Sequence, residues 1–322
     1  MKRAIRRDGL CYCIVSGARG AVEISAEIDA SRSRLPGSDA LPPVVVASSA
    51  VSDRQPFSRG RLWFYSNYHC NLACAYCLTE SAPAAARRQL DPALMIRLAG
   101  QAAELGFTDL GVTGGEPFLL PAMPELLLEL GGILPTVALT NGTLFTADRL
   151  RLLRRLATVP VALQISLDSP DPVVNDELRG PQNFAKVVSA IPRLVDAGIR
   201  VRIATTVEAG RLDAEQHERL CALHRSLGVA DEDHVVRPVI RRGRAVEQGL
   251  GRSFEHAEIP AELTVTVDGA FWSPFGPTVR HGRVDTDLLV TRTIEPLSRP
   301  ADALARLVGG LPSGADARIG IR

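Results

Sequence analysis

His69-Cys70-Asn71-Leu72-Ala73-Cys74-Ala75-Tyr76-Cys77 puts three thiols into eight residues, spaced C-x3-C-x2-C, with an aromatic residue directly before the last. Three thiolates on one short loop can each hold an iron of a [4Fe–4S] cluster and leave the fourth iron without a protein ligand. An open iron can take a cofactor or substrate through its own amino and carboxylate groups. With His69, the same triplet also satisfies a Cys3His zinc pattern. Zinc accounts neither for the Gly114-Gly115-Glu116-Pro117 run downstream nor for the strand–helix repeat that carries both motifs. A disulfide framework fits poorly, because six cysteines are spread over 322 residues and no stretch reads as a secretory signal.

The composition narrows the remaining classes. A chain of 322 residues buries a large core, and one α/β domain with a small extension fits the length. The formal net charge is +1, so bulk charge points to neither nucleic acid nor an anionic membrane as partner. No apolar run approaches the length of a membrane span. The N-terminal patch Leu10-Cys11-Tyr12-Cys13-Ile14-Val15 is too short for a signal-peptide core and soon meets Arg19. A reducing cytoplasm, where thiolates stay available for iron, is the consistent compartment.

Outward from the cysteine loop, apolar runs alternate with helical periodicity. Residues 1–30 read as a strand or hairpin, with Cys11 and Cys13 on one face, either as small packing residues or as a redox-active pair that could donate a hydrogen atom. Residues 31–58 carry the prolines and serines of an extended linker. Strands are then expected at 62–65, 108–113, 136–140, 161–168, 201–206 and 234–240. Asp91 is the expected N-cap of the first helix, with Pro92 following and Met95, Leu98, Ala99, Ala102 and Leu105 as its buried stripe. Thr146 caps a second helix. A third shows Phe184, Val187, Val188, Ile191, Leu194 and Val195 on one face, with Pro192 bending it. Cys221 reads as core on a further helix, near Leu220 and His224. Alternating strands and helices mean parallel βα units, and every motif falls at the C-terminal end of a strand. The periodicity by itself leaves an open doubly wound sheet as an alternative. After residue 245 the pattern changes to a β-hairpin, Leu263–Val267 and Ala270–Trp272 about Asp268-Gly269, and a final helix at 301–308.

The cysteine spacing, the aromatic Tyr76 and the glycine run, in this order and far apart, resemble the radical S-adenosylmethionine (SAM) superfamily. Within it the chain is similar to the branch of molybdenum-cofactor, PQQ and SPASM/Twitch enzymes. The resemblance covers residues 61–245 well. It implies a partial (β/α)6 TIM-like barrel over 59–245, preceded by the β segment and linker of 1–58. Residues 246–322 would form a small α+β extension of the SPASM/Twitch type. That extension binds auxiliary clusters in many relatives, whereas here Phe271-Trp272-Ser273-Pro274-Phe275 stands where the ligands would be and no Cys follows Cys221.

Carried over position by position, Cys70, Cys74 and Cys77 match the cluster ligands and Tyr76 the aromatic position near the adenine. Gly114, Gly115 and Glu116 match the segment that approaches the methionine amino group. Ser166 matches a serine that contacts the SAM carboxylate, and Asp168 lies two residues on. Arg179 and Lys186 are further carboxylate contacts or ordinary solvated charges. The residue that acts on the substrate itself is unknown from sequence. The resemblance also implies a [4Fe–4S] cluster, SAM, and a one-electron donor such as flavodoxin or ferredoxin, and the shortage of cysteines outside the triplet implies that the cluster is single. Reductive cleavage of SAM would yield a 5′-deoxyadenosyl radical that takes hydrogen from a peptide or small-molecule substrate. Arg237, Arg241, Arg242 and Arg244 gather near the expected mouth, either as a clamp for substrate carboxylates or as a solvated basic loop. A peptide or natural-product intermediate is the favoured substrate, and maturation of a cofactor or tetrapyrrole is the alternative. A non-catalytic iron–sulfur or zinc-binding protein is the rival from another class.

Overall fold

The structure is a computed structural model that describes the backbone at residues 3–7, 10–16 and 22–25, and residues 60–208 and 213–309. The chain divides into two compact units, Met1–Asp53 and Arg54–Arg322. In the first, β1 (Arg3–Arg7), β2 (Leu10–Ser16) and β3 (Val22–Ser25) make an antiparallel sheet in that order. The expected hairpin is β2 and β3, closing with Ser16 opposite Val22; β1 is an addition. Cys11 and Cys13 belong to β2. Their side chains, and the linker expected over 31–58, lie outside the described residues.

The second unit is built on βα repeats: β4 (Arg61–Tyr65), α1 (Pro92–Glu104), β5 (Asp109–Thr113), α2 (Met123–Ile133), β6 (Thr136–Thr140), α3 (Ala147–Leu153) and β7 (Val161–Ser166). Then come α4 (Pro172–Arg179), α5 (Asn183–Asp196), β8 (Arg200–Val207), α6 (Ala214–Ser226), β9 (His234–Pro238) and the single turn α7 (Arg244–Glu247). Strands β4 to β9 are all parallel, and each pairs with the next in the chain. The order never reverses, so the sheet has no topological switch point and is not doubly wound. It is the winding of a six-stranded partial (β/α) barrel, as expected.

Alternation along the strands divides the two faces. Leu62, Phe64, Leu110, Val112, Leu163, Ile165, Val201 and Ile203 bury against the helices in one large core with Leu98, Leu127 and Leu194. The opposite parity turns inward, where Trp63 and Val137 form a small separate cluster with Leu139. At α1 the local chemistry is as read: Asp91 accepts from the Ala93 amide at 3.1 Å, Pro92 follows, and Met95, Leu98, Ala99 and Ala102 are buried. Besides the single turn α7, two helices escape the sequence reading. At its N-cap, α2 has Ala122 with no side-chain bond, so the usual start signal is absent. The other, α4, is a short polar helix of eight residues. Helix α5 runs on through Pro192.

Beyond residue 245 lie β10 (Leu263–Thr266), β11 (Gly269–Trp272), β12 (Val279–Arg280), β13 (Arg283–Val284), β14 (Leu289–Thr291) and α8 (Ser298–Val308). The expected hairpin is β10–β11. It is continuous with the barrel sheet: β10 pairs in parallel with β4, Leu263 beside Leu62, giving the order β14-β11-β10-β4-β5-β6-β7-β8-β9.

Trp63 fills the interior only because β5 has no side chain at Gly111, where an added Cβ would fall 2.1 Å from the indole. Gly111→Ala should therefore lower unfolding free energy by about 1–3 kcal/mol through overpacking. Gly132→Ala, on an exposed helical position with nothing within 4 Å, should be neutral or stabilising. Equal denaturation midpoints for the two variants would contradict this account of the interior.

Candidate functional site

The cysteine loop leaves the C-terminal end of β4 and is stitched at once to the glycine run that leaves β5. Ser66 N donates to Thr113 O at 2.7 Å, Gly115 N to Asn67 O at 2.7 Å, and Glu116 N to His69 O at 3.1 Å. The Asn67 amide nitrogen donates to both His69 O and Glu116 O, at 2.9 and 3.1 Å. Backbone meets backbone here. A Cβ on Gly115 would lie 2.1 Å from His69 O, and one on Gly114 within 2.9 Å of Asn67 O. The glycines are required by the protein's own loop contacts.

From the other side the loop is gripped by later segments. Arg244 donates from Nε to Cys74 O at 2.9 Å and from a terminal nitrogen to Ser81 O at 2.6 Å, while its amide donates to Cys77 O at 3.1 Å. Thr278 Oγ1 donates to Leu78 O at 2.9 Å, and Val279 N to Thr79 O at 3.2 Å. Ala75 N donates to Leu178 O at 2.9 Å on α4.

So held, Cys70, Cys74 and Cys77 line a single cavity of about 210 Å³, together with Tyr76, Gly114, Gly115, Asn141, Ser166, Arg179 and Arg237. All three are free thiols. Burial, with the Glu116 carboxylate nearby, pushes the Cys70 thiol up to about 12. His69, the fourth donor of a Cys3His alternative, does not line the cavity; its Nδ1 faces the Asn67 amide at 3.4 Å. Asn141 was not expected as a site residue: its amide nitrogen lies 3.7 Å from Cys70 Sγ and donates to Asn71 Oδ1 at 2.9 Å. Only its place at the end of an expected strand could have drawn attention to it. Pro274, Phe275 and Gly276 add a wall from the segment after β11.

Beneath the cavity lies a buried charge network. Asp168 Oδ2 accepts from the Tyr76 hydroxyl and from Arg179 at 3.0 Å, and Oδ1 accepts from Thr206 N at 2.8 Å. Arg179 also donates to the Tyr76 oxygen. The side chains of Arg179 and Asp168 are 6% and 0% exposed, which marks a desolvated pair. Burial opposes the charge on Arg179, but Tyr76, Cys74 and Asp168 outweigh it and hold its pKa well above the ordinary value. Burial likewise pushes the Tyr76 phenol well up, with Arg179 opposing. Among the described residues, neither Arg179 Nε nor the Ser166 hydroxyl has a hydrogen-bond partner. Both residues line the cavity.

Two expected cofactor contacts sit one layer back. Glu116 is fully buried and its carboxylate is filled by Phe118 N, Thr140 Oγ1 and Asn141 N, at 3.0, 2.8 and 2.8 Å. Asp168 is filled as described. Neither lines the cavity, because protein donors already take their oxygens, and both act by positioning neighbours. Lys186 is exposed on α5 and also lies off the cavity. The four arginines, read as a clamp or a solvated basic loop, are divided. Arg237 lines the cavity beside Thr206, and Arg244 braces the cysteine loop. Arg242 pairs with Asp285 and Asp287, and Arg241 bonds Gly251 O.

Removing Asp168 leaves Arg179 charged, buried and unpaired. Asp168→Ala should cost about 3–5 kcal/mol of stability, and the double variant Asp168→Leu with Arg179→Met should recover much of it. Denaturant titration checks this, and a loss below about 1 kcal/mol would mean the pair is not desolvated.

Residues 65–217 match the radical SAM superfamily. Over 146 residues the chain is 36% identical to the antilisterial bacteriocin subtilosin biosynthesis protein AlbA of Bacillus subtilis, covering 45% of this chain and 32% of that protein. It is 30% identical over 164 residues to the AdoMet-dependent heme synthase of Oleidesulfovibrio alaskensis, covering 50% and 42%. The match thus spans less than half the length of these curated relatives. Among solved structures, SuiB of Streptococcus suis bound to S-adenosylmethionine shares the fold with TM-score 0.50 at 19% identity, over 62% of this chain and 44% of that one. The part of the chain that matches the radical SAM superfamily begins at Tyr65 and bears the C-x3-C-x2-C loop at the mouth of the partial barrel.

Proposed function

We propose that this chain is a radical SAM enzyme that holds one [4Fe–4S] cluster on Cys70, Cys74 and Cys77 and modifies a peptide. One observation carries the proposal: three free thiols and two polar groups without a hydrogen-bond partner among the described residues, Ser166 Oγ and Arg179 Nε, converge on one cavity at the C-terminal ends of the strands. The donor set fits. Three thiolates suit a cluster with one open iron, while the serine hydroxyl and the guanidinium suit the carboxylate of a bound SAM. Reduced cluster and SAM together supply a 5′-deoxyadenosyl radical for hydrogen abstraction.

The chain's own residues bind, orient and exclude water. Arg244 and Thr278 fix the backbone of the loop that carries the thiols. Asp168 holds Tyr76 and Arg179 in place at the cavity wall. Gly114 and Gly115 keep the β5 loop close to the cysteine loop, so that both reach the cavity. Tyr65, Val239, Ile240 and the Pro274–Gly276 segment give apolar walls that limit water and stray hydrogen donors. A one-electron donor of the flavodoxin or ferredoxin class in a reducing cytoplasm completes the reading. A relative named for bacteriocin biosynthesis supports a peptide substrate. A relative named for heme synthesis supports the second reading, maturation of a cofactor. Among the described residues no helix is long and apolar enough to cross a membrane.

Anaerobically reconstituted protein given dithionite and SAM should release 5′-deoxyadenosine. Cys70→Ala, Cys74→Ala and Cys77→Ala should each abolish release, and Ser166→Ala should weaken SAM binding by about 1.5–3 kcal/mol. Release that survives loss of a triplet cysteine would refute the ligand assignment, and none from intact protein would favour a non-catalytic metal protein.

A further inference from the structure

A second group of metal-ligating side chains stands on the other face of the sheet, where α6 covers β9. His217 and Cys221 are four residues apart on α6 and therefore share a face. His234 is the first residue of β9, at the end of the strand opposite the C-terminal ends that carry the cysteine loop. It sits in register with Ile203, one of the residues whose side chains pack toward the helices. Cys221 Sγ lies 3.6 Å from His217 Nε2 and 4.0 Å from His234 Nδ1, and the three ligand atoms all fall within 4.8 Å of one another. In a tetrahedral zinc site a sulfur and a nitrogen ligand atom stand about 3.5 Å apart, given the usual Zn–S and Zn–N distances. The His217–Cys221 edge already has that length. Cys221, expected to be plain core, is buried but turns its sulfur to two imidazole nitrogens.

The next shell sets the tautomer. Thr205 Oγ1 donates to Leu167 O at 2.8 Å, so its 2.9 Å contact with His234 Nε2 makes it the acceptor. Nε2 therefore carries the hydrogen, and Nδ1 presents its lone pair toward Cys221. A polar group fixing the far nitrogen in this way is what orients imidazole ligands at metal centres. The His217 and His234 rings stack at 5.7 Å with 17° between their planes. His224, fully buried, meets the His234 ring edge-on at 4.3 Å, and neither of its nitrogens has a partner among the described residues. Buried polar groups are seldom left unbonded, so this too marks an unfinished polar centre.

We propose that His217, Cys221 and His234 form a second metal site for a zinc-class divalent cation, separate from the cysteine loop. One thiolate and two imidazoles are a borderline-soft donor set that suits zinc and discriminates against calcium and magnesium. On binding, the Cys221 thiol gives its proton to solvent and the imidazoles bind neutral. His217 is exposed, so water can take the fourth position. The metal ties α6 to β9, the last strand of the sheet, and acts as a clip on that edge.

Cobalt(II), which reports thiolate ligation by charge-transfer absorption and tetrahedral geometry by its visible bands, is the probe. It is titrated into full-length protein whose cluster has been built and into the Cys70→Ser/Cys74→Ser/Cys77→Ser variant. Both should bind one cobalt per chain with a thiolate band, zinc should displace it, and binding should raise the melting temperature. Cys221→Ser should remove the band, and His217→Gln or His234→Gln should weaken binding at least tenfold. Thr205→Val, which touches no metal, should weaken it about 10–100-fold. If the triple variant does not fold, the cluster-loaded protein alone decides the matter. A thiolate band that persists in Cys221→Ser, or no cobalt bound by the loaded protein, would overturn the proposal.

Discussion

Everything at the mouth of the barrel depends on how closely two backbones approach. The loop after β4 and the loop after β5 touch at Asn67–His69 and Gly114–Gly115, with no space for a side chain between them. That contact, sealed by the Asn67 amide and three backbone hydrogen bonds, sets where Cys70 begins and hence where all three thiols stand. A loop carrying metal ligands gains from such a fixed start, because ordering a free loop at the moment of binding costs conformational entropy for every residue held.

A second tier holds the polar groups. Glu116 is spent on the start of its own short turn and the end of β6, and Asp168 on Tyr76, Arg179 and Thr206. Neither carboxylate reaches the cavity, yet each decides the position of something that does. The tail takes part as well. Its hairpin widens the sheet beside β4, and the segment after β11 both walls the cavity and bonds the cysteine loop. A cysteine-free tail is thus integrated with the site through packing and hydrogen bonds.

Much of this was legible in the sequence because local signals agreed with the final packing. Asp91-Pro92 starts α1, the apolar strand runs stand where they were read, and the thiol spacing points to the cavity. What failed did so for physical reasons. Helix α2 lacks a capping side chain, and α4 is too short and polar to show a period. A carboxylate beside a motif looks the same in sequence whether it faces a ligand or is filled by protein donors, so the sequence did not show that Glu116 and Asp168 are filled in this way. Arg237 in β9 and the three arginines that follow it are close in sequence, but the turns after Pro238 send them to different partners. Cys221 was read from its own helix, whereas its imidazole neighbour His234 comes from the next strand.

The central claim is that the three thiols and the SAM-binding groups serve one cluster and one cofactor side by side. Electron paramagnetic resonance of the anaerobically reconstituted, reduced protein, with iron counted in the same sample, tests it most directly. One cluster predicts about four irons per chain and a single reduced-cluster signal that shifts when SAM is added. About eight irons, or a second signal indifferent to SAM, would contradict the account.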